Sequence, residues 1–414
     1  MKPFIKVAIR WSRPAMVAAV GVAVIYSAVM VVVNIKRANA VRADTSASSM
    51  AGVEVSGLQN KPAKIERLLA GPDRKGCGFG QIRNVKTASC VWATRSNKND
   101  ISNELSDEAV NEKLHQVIKL LEAGKEKEAK RVLEPPLLAG HPHAQLLAAA
   151  FFYNGDLLEK NRSKAMELVR LSADQNEAKA QYQLGEWLIE DCSDACPNIK
   201  EALRMLKAAS KAGLHEATEQ IGRIYFLGIG VPQDRDIALP YIKSAAEGGM
   251  PTSQRVLGTI FYRGVVIPRS YELSMKWLKK AAHQGDANAM AKVAGLYNLG
   301  LGTEKDTQKG VMWSWLGARN GDAGAQYLLA TLILEGIAGI DERSIGLTWL
   351  KVSASAGYAD AKEALKRIRG KLDSEEETRA EVEAKKCLKN LKQCGKPPWK
   401  WKGFGGAKIE MNQI

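Results

Sequence analysis

Two rhythms of small and apolar positions run through the middle of this chain. Within each phrase they fall three and four residues apart, the spacing that gathers them on one face of an α-helix. Between phrases the pattern returns after 36 residues. Ala289, Ala325 and Ala361 each open a similar helical stretch, with Ser253 and Ala217 in the equivalent places upstream. Trp277, Trp313 and Trp349 recur at the same interval in a second stretch, with Tyr241 in the matching slot. Gly213, Gly249, Gly285, Gly321 and Gly357 close the units. A fixed period of this length marks a solenoid of stacked helix pairs, in which no unit can bury its apolar face alone. Chains built this way more often hold other proteins than do chemistry.

The third unit shows the local logic. Its first helix is expected to bury Ala217, Ile221, Ile224 and Tyr225, with Gly222 letting the partner helix approach closely. Gly228 and Gly230 supply the positive φ that stops this helix, and Pro232 and Asp234 suit the start of the next. The second helix is expected to present Ile237, Tyr241, Ile242, Ala245 and Ala246 to the core.

The same reading divides the chain. Residues 1–14 are a basic N-terminal segment, 15–34 a transmembrane helix or signal anchor, and 35–103 a flexible linker. A capping helical hairpin occupies 104–139, with the helical pattern itself running over 106–134. Six repeats fill 140–357, at about 140–175, 176–213, 214–249, 250–285, 286–321 and 322–357. Capping helices follow at 358–394, among them a charged helix at about 373–393, and an irregular basic aromatic tail at 395–414.

The repeat phrases resemble Sel1-like repeats, relatives of tetratricopeptide repeats with a longer loop between the helices. The matching stretches are AQYQLG at 180–185, GIGVPQD at 228–234, MKWLKKAAHQG at 275–285 and GDAGAQYLLA at 321–330. Two copies depart from the pattern. The first has Asn154–Arg162 in place of the Gly-Val-Pro loop, and the second has Asp191-Cys192-Ser193-Asp194-Ala195-Cys196-Pro197. The resemblance implies an all-α, right-handed solenoid of stacked antiparallel helix pairs. It also implies protein partners, in this family often those of bacterial envelope and signalling assemblies.

The N-terminus bears on compartment. Residues 15–33 are uncharged and almost wholly apolar, flanked by Lys2, Lys6, Arg10 and Arg13 before and by Lys36, Arg37 and Arg42 after. At ~1.5 Å per residue such a run covers a bilayer core of ~30 Å. Ala38-Asn39-Ala40 has the small-x-small form of a signal-peptidase site. Two outcomes stay open: a single-pass inner-membrane anchor with the solenoid facing the periplasm, or a cleaved signal peptide and a soluble periplasmic protein.

Six cysteines, an even number, suit an exported chain with disulfides. They fall as Cys77/Cys90, Cys192/Cys196 and Cys387/Cys394, and pairing is not readable from the sequence. Cys387 and Cys394 would stand ~10 Å apart in one continuous helix, beyond the ~7 Å limit for a bridge. Either the helix breaks there or each pairs elsewhere.

Charge narrows the partners. The formal net charge is +15, but residues 1–50, 51–103 and 358–414 hold +6, +5 and +5, leaving 104–357 at −1. A groove for nucleic acid along the repeats would need a basic stripe there, so nucleic acid enters only as an alternative, through the basic flanks. The Gly76-Cys77-Gly78-Phe79-Gly80 cluster lacks the Lys-Ser/Thr of a phosphate loop. His141 and His143 read as a surface turn rather than metal ligands. No cofactor, metal site or small-molecule substrate is expected, and no catalytic constellation has positional support.

Partner contact is expected on first-helix positions turned away from the core: Glu219, Arg223, Arg255, Thr259, Ala291, Lys292 and Tyr327. Their mixed charge fits a specific protein-binding concavity. The tail adds Trp399 and Trp401, alternating with lysines, as a second candidate contact. The reading is of a non-enzymatic scaffold or regulator that binds other envelope proteins. An accessory factor or enzyme of cell-wall, secretion or DNA-transfer machinery is the alternative.

Overall fold

The computed structural model describes residues 81–83, 90–92, 106–190, 196–338, 343–368 and 373–394. Sixteen α-helices lie among them, preceded by two short strands. The apolar run at 15–34, the Ala38–Ala40 motif, Cys77, Cys192 and the tail with Trp399 and Trp401 fall outside the described residues. No helix within the described residues is long and apolar enough to cross a membrane.

Part of the stretch read as linker is ordered. β1 (Gln81–Arg83) and β2 (Cys90–Trp92) pair antiparallel, with Ile82 opposite Val91 and Arg83 opposite Cys90. Isoleucine, valine and tryptophan favour an extended, pleated backbone. A polar, glycine-rich average over some seventy residues hides so short a signal.

Helices α1 (Asp107–Glu122) and α2 (Glu126–Leu138) form the first hairpin. Ser106 caps α1, its side chain accepting from Ala109 N at 3.2 Å. α2 runs past the expected end at 134 and through Pro135 and Pro136, burying Leu133 and Leu137.

Each repeat then supplies two helices. The first helices are α3 (Pro142–Asn154), α5 (Ala178–Ile189), α7 (His215–Leu227), α9 (Pro251–Arg263), α11 (Ala287–Leu299) and α13 (Ala323–Leu334). Their partners are α4 (Arg162–Asp174), α6 (Ile199–Lys211), α8 (Arg235–Glu247), α10 (Tyr271–His283), α12 (Thr307–Arg319) and α14 (Arg343–Ser355). Beyond them, α15 (Ala359–Ile368) begins another pair, and α16 (Ser374–Lys389) packs on α14. The helices sort into two compact units, α1 to α6 and α7 to α16.

The turns follow from residue chemistry. Gly228, Gly264 and Gly300 end α7, α9 and α11 in the left-handed region at φ 76°, 68° and 67°. Asp234, Ser270 and Asp306 then cap α8, α10 and α12, accepting from the backbone N three residues on at 2.8, 3.2 and 2.9 Å. Such caps satisfy the orphan N–H groups of a helix start. Within the same loops Gly230, Val266 and Gly302 share one register, and all three have positive φ. A β-branched residue there is strained by roughly 1–2 kcal/mol, and Val266 is exposed.

Close helix approach explains the small residues of the first helices. A Cβ on Gly185 or on Gly258 would lie 2.7 Å from Leu206 or Leu278 Cγ, and one on Gly222 would lie 3.1 Å from Ile242 Cγ1. The openers Ala217, Ser253, Ala289, Ala325 and Ala361 are all buried. In the third repeat the second helix departs from the expected face. Ile237 is 44% exposed and Ala238 is buried in its place, beside Ile242, Ala245 and Ala246. Ile237 sits in the first turn of the helix, and its backbone N donates to the capping Asp234.

Buried amides tie the second, fourth and sixth repeats each to the one before. Gln181, Gln254 and Gln326 donate to Ala173 O, Ala246 O and Ala318 O at 3.3, 3.1 and 3.1 Å. A second amide answers the first. Gln175 donates to Gln145 Oε1 and Gln284 to Gln254 Oε1, each at 2.8 Å. At the next equivalent pair but one the donor is missing. Ala356 stands in the slot of Gln284, and Gln326 Oε1 is buried without a partner.

Candidate partner-binding surface

From the third repeat to the sixth, contacts run from one first helix to the next repeat, and three of the side chains expected to meet a partner, Glu219, Arg255 and Tyr327, take part in them. Glu219 on α7 accepts from Ser253 N at 2.9 Å and from Ser253 Oγ at 2.8 Å on α9. Arg255 on α9 donates through Nε to Asp286 Oδ2 at 2.9 Å. Asn288 on α11 donates to Asp322 Oδ2 at 3.2 Å. Tyr327 on α13 packs its ring 5.3 Å from that of Tyr358. The face is thus held in place by the contacts between repeats.

Asp286 and Asp322 have a second task. Their Oδ1 atoms cap α11 and α13 through Ala289 N at 2.8 Å and Ala325 N at 2.7 Å. Each carboxylate therefore serves its own helix start and a side chain of the preceding first helix or of its own repeat's neighbour. Sequence reasoning missed both, although an Asp three residues before each opening Ala is visible at 286 and 322. A cap with a free second oxygen is the signal that marks them.

The remaining expected residues sit as follows. Arg223 is exposed, its Nε near Gln220 Oε1 one turn back. Thr259 is half-buried and donates to Arg255 O at 2.8 Å, within its own helix. Ala291 and Lys292 are half-buried on α11. Burial holds the Lys292 ammonium below the ordinary lysine range; Arg255 and Arg263 push the same way, and Asp322 and Asp286 oppose them.

Two of the three recurring tryptophans belong to the interior. Trp313 and Trp349 are fully buried, with the His283 ring edge-on to Trp313 at 5.4 Å. Trp277 differs: it is half-buried, and Lys280 Nζ lies 4.2 Å from its ring centre. Trp187 is buried and stacked on Tyr153 at 4.2 Å.

His141 and His143 are not a surface turn. They knit the first hairpin to repeats one and two. His141 is buried; its Nδ1 accepts from His143 N at 3.3 Å, so its Nε2 carries the proton toward Asp107 Oδ1 at 2.9 Å. His143 reaches Asn111 Oδ1 at 2.9 Å and Glu177 Oε2 at 2.8 Å. Burial pushes the Glu177 carboxyl up, but the His143 hydrogen bond and charge, with help from Lys179, outweigh it and hold it below the usual range. The expectation failed because His-x-His was read without its partners, which lie more than thirty residues away in either direction.

Of the cysteines, Cys387 and Cys394 form a disulfide with Cα atoms 4.7 Å apart. The helix does break: α16 ends at Lys389, Asn390 turns extended, and a 3-10 turn (Leu391–Gln393) brings Cys394 back. Cys196 is disulfide-bonded as well. Cys90 lies in β2.

Six consecutive segments match the Sel1 repeat, at 142–177, 178–214, 215–250, 251–286, 287–322 and 323–358. The chain belongs to the Sel1 repeat family. The matched segments begin one or two residues later than the units read from the 36-residue rhythm, because each starts at its first helix. Sel1 repeat proteins are in general protein-interaction scaffolds.

Two solved Sel1-type structures are similar in fold. One is c5321, a protective antigen present in uropathogenic Escherichia coli strains and displaying an SLR fold. It is 22% identical with a TM-score of 0.54, over 65% of this chain and 64% of that one. This chain thus spans less than two thirds of that protein's length. The other is a Sel1 repeat protein from Oxalobacter formigenes, 22% identical with a TM-score of 0.50, over 66% of this chain and 99% of that one. No curated protein matches the chain.

Proposed function

We propose that this Sel1 repeat chain is a non-enzymatic scaffold of the bacterial cell envelope. The apolar run at 15–34 tethers it to the inner membrane, and the solenoid faces the periplasm and binds other envelope proteins along its first-helix face. The observation that carries the reading is that face itself. Arg223, Arg255, Lys292 and Tyr327 are exposed or half-buried on successive first helices, and two are fixed before any partner arrives, Arg255 by its bond to Asp286 and Tyr327 by its ring contact with Tyr358. A surface ordered in advance loses less entropy on binding. The Cys387–Cys394 disulfide supports an oxidising compartment.

Removing Arg255 and Tyr327 outright would also loosen the stack, so the test leaves the backbone face intact. A photo-crosslinking amino acid is placed at Arg223 or Thr259, and in parallel at the exposed second-helix positions Lys243 and Lys276. Irradiation in cells should give discrete protein adducts from the first pair, recovered with membranes, and none from the second. Equal adducts from both faces would sink the surface, and adducts found only with cytoplasmic proteins would sink the location.

A further inference from the structure

Lys292 stands where its neighbours place aliphatic side chains. The same register holds Val256 in the fourth repeat and Leu328 in the sixth, and both pack against the cores beneath them. A half-buried ammonium in such a slot needs a counter-charge, and the nearby acids are already engaged. Asp286 divides its oxygens between Ala289 N and Arg255, and Asp322 divides its own between Ala325 N and Asn288. Lys292 has no hydrogen bond or ion pair with any described residue, and neither has Arg263 at the end of α9. Among the described residues, Arg255 and Arg263 add their charge to that of Lys292, against the two carboxylates Asp286 and Asp322. One positive charge is left over.

In the row beside Lys292, the register of Arg255 and Tyr327 holds Ala291, the smallest side chain of that register. The sign and size of the surplus define the ligand. It suits one carboxylate, and the flanking Asp286 and Asp322 oppose a dianionic phosphate or a polyanion.

We infer that Lys292 receives a carboxylate from an acidic segment of a protein partner. This rests on the reading of the first-helix face as a partner-binding surface and names the chemistry of the partner. Retaining a half-buried cation with no hydrogen bond or ion pair among the described residues is unfavourable for folding, and a fold under no binding demand would place an aliphatic there.

The experiment uses the 414-residue chain, immobilised and panned against a random dodecapeptide display pool, with Lys292→Met in parallel. Wild type should enrich peptides carrying Asp or Glu. A synthetic copy of an enriched peptide should bind the Lys292→Met chain at least tenfold more weakly. Replacing its acidic residue by the amide should weaken binding to wild type by a similar factor, and should add nothing on Lys292→Met. Enriched peptides no more acidic than the starting pool, or bound equally by both chains, would overturn the carboxylate site while leaving the scaffold reading intact. Binding of a single-stranded oligonucleotide that Lys292→Met abolishes would assign the site to nucleic acid and overturn it too. Recovery of no peptide at all would count against both readings.

Discussion

Two polar clusters in this molecule look alike by composition and differ in closure. At the junction of the first hairpin with repeats one and two, Asp107, Asn111, His141, His143 and Glu177 satisfy one another. On the first-helix face of repeats four to six, Asp286 and Asp322 are engaged in the same manner, but Lys292 and Arg263 are not. A closed network is worth its bonds to the fold, because removing one member strands another in a poorly hydrated site. An open one contributes little to the fold and holds its interaction in reserve. The closed cluster is a fastener, and the open one is the site proposed for a partner's carboxylate.

The largest effect should follow from opening the closed cluster. His143→Ala leaves Asn111 and Glu177 without their partner and should destabilise the N-terminal unit by about 2 kcal/mol. Urea unfolding followed by Trp187 fluorescence reads it, since Trp187 is buried in that unit against Tyr153. An unchanged midpoint would mean that the network does not fasten anything.

Acid should open the same cluster without mutation. Glu177 has a lowered pKa in the fold, so the unfolded chain takes up its proton first as pH falls. Its contribution is complete above the ordinary value of 4.5 and fades as pH drops through the lower folded value. The urea midpoint of wild type should therefore decline below pH 4.5 more steeply than that of Glu177→Gln. Parallel profiles would contradict the pairing with His143.

The smallest effect comes from closing a gap elsewhere. Ala356→Gln should let a new amide donate to Gln326 Oε1, as Gln284 does to Gln254, and raise stability by about 0.5–1 kcal/mol. Calorimetry would detect a rise of a degree or two; a fall would mean that the sixth repeat does not share the geometry of the fourth.

Much of the architecture was legible because it depends on local chemistry repeated at a fixed step. Gly228, Gly264 and Gly300 announce helix ends, and Asp234, Ser270 and Asp306 announce starts, whatever their surroundings. The side chains that join repeats were harder to see. Gln145, Gln181, Gln254 and Gln326 recur in the sequence, but polar residues in a helix read as outward until their carbonyl partners are located. Ile237 misled for the opposite reason: hydrophobicity alone assigned it inward, while the smaller Ala238 beside it lies on the face turned to the core. The candidate surface was legible as a row of positions. That Arg255 is paired and Lys292 is not depends on which acids a neighbouring helix start has already claimed, and spacing within one helix carries no trace of that.

The account turns on Lys292 being retained for a partner and not for the fold. Thermal unfolding of Lys292→Met beside wild type at pH 7 tests this most directly. A Tm equal to or above that of wild type is predicted, with any gain shrinking as pH rises through the lowered value Lys292 has in the fold and gone above the ordinary 10.5, where the unfolded chain has lost the charge too. A fall as large as that of His143→Ala would show that Lys292 belongs to a closed structural network, and the open site would be gone.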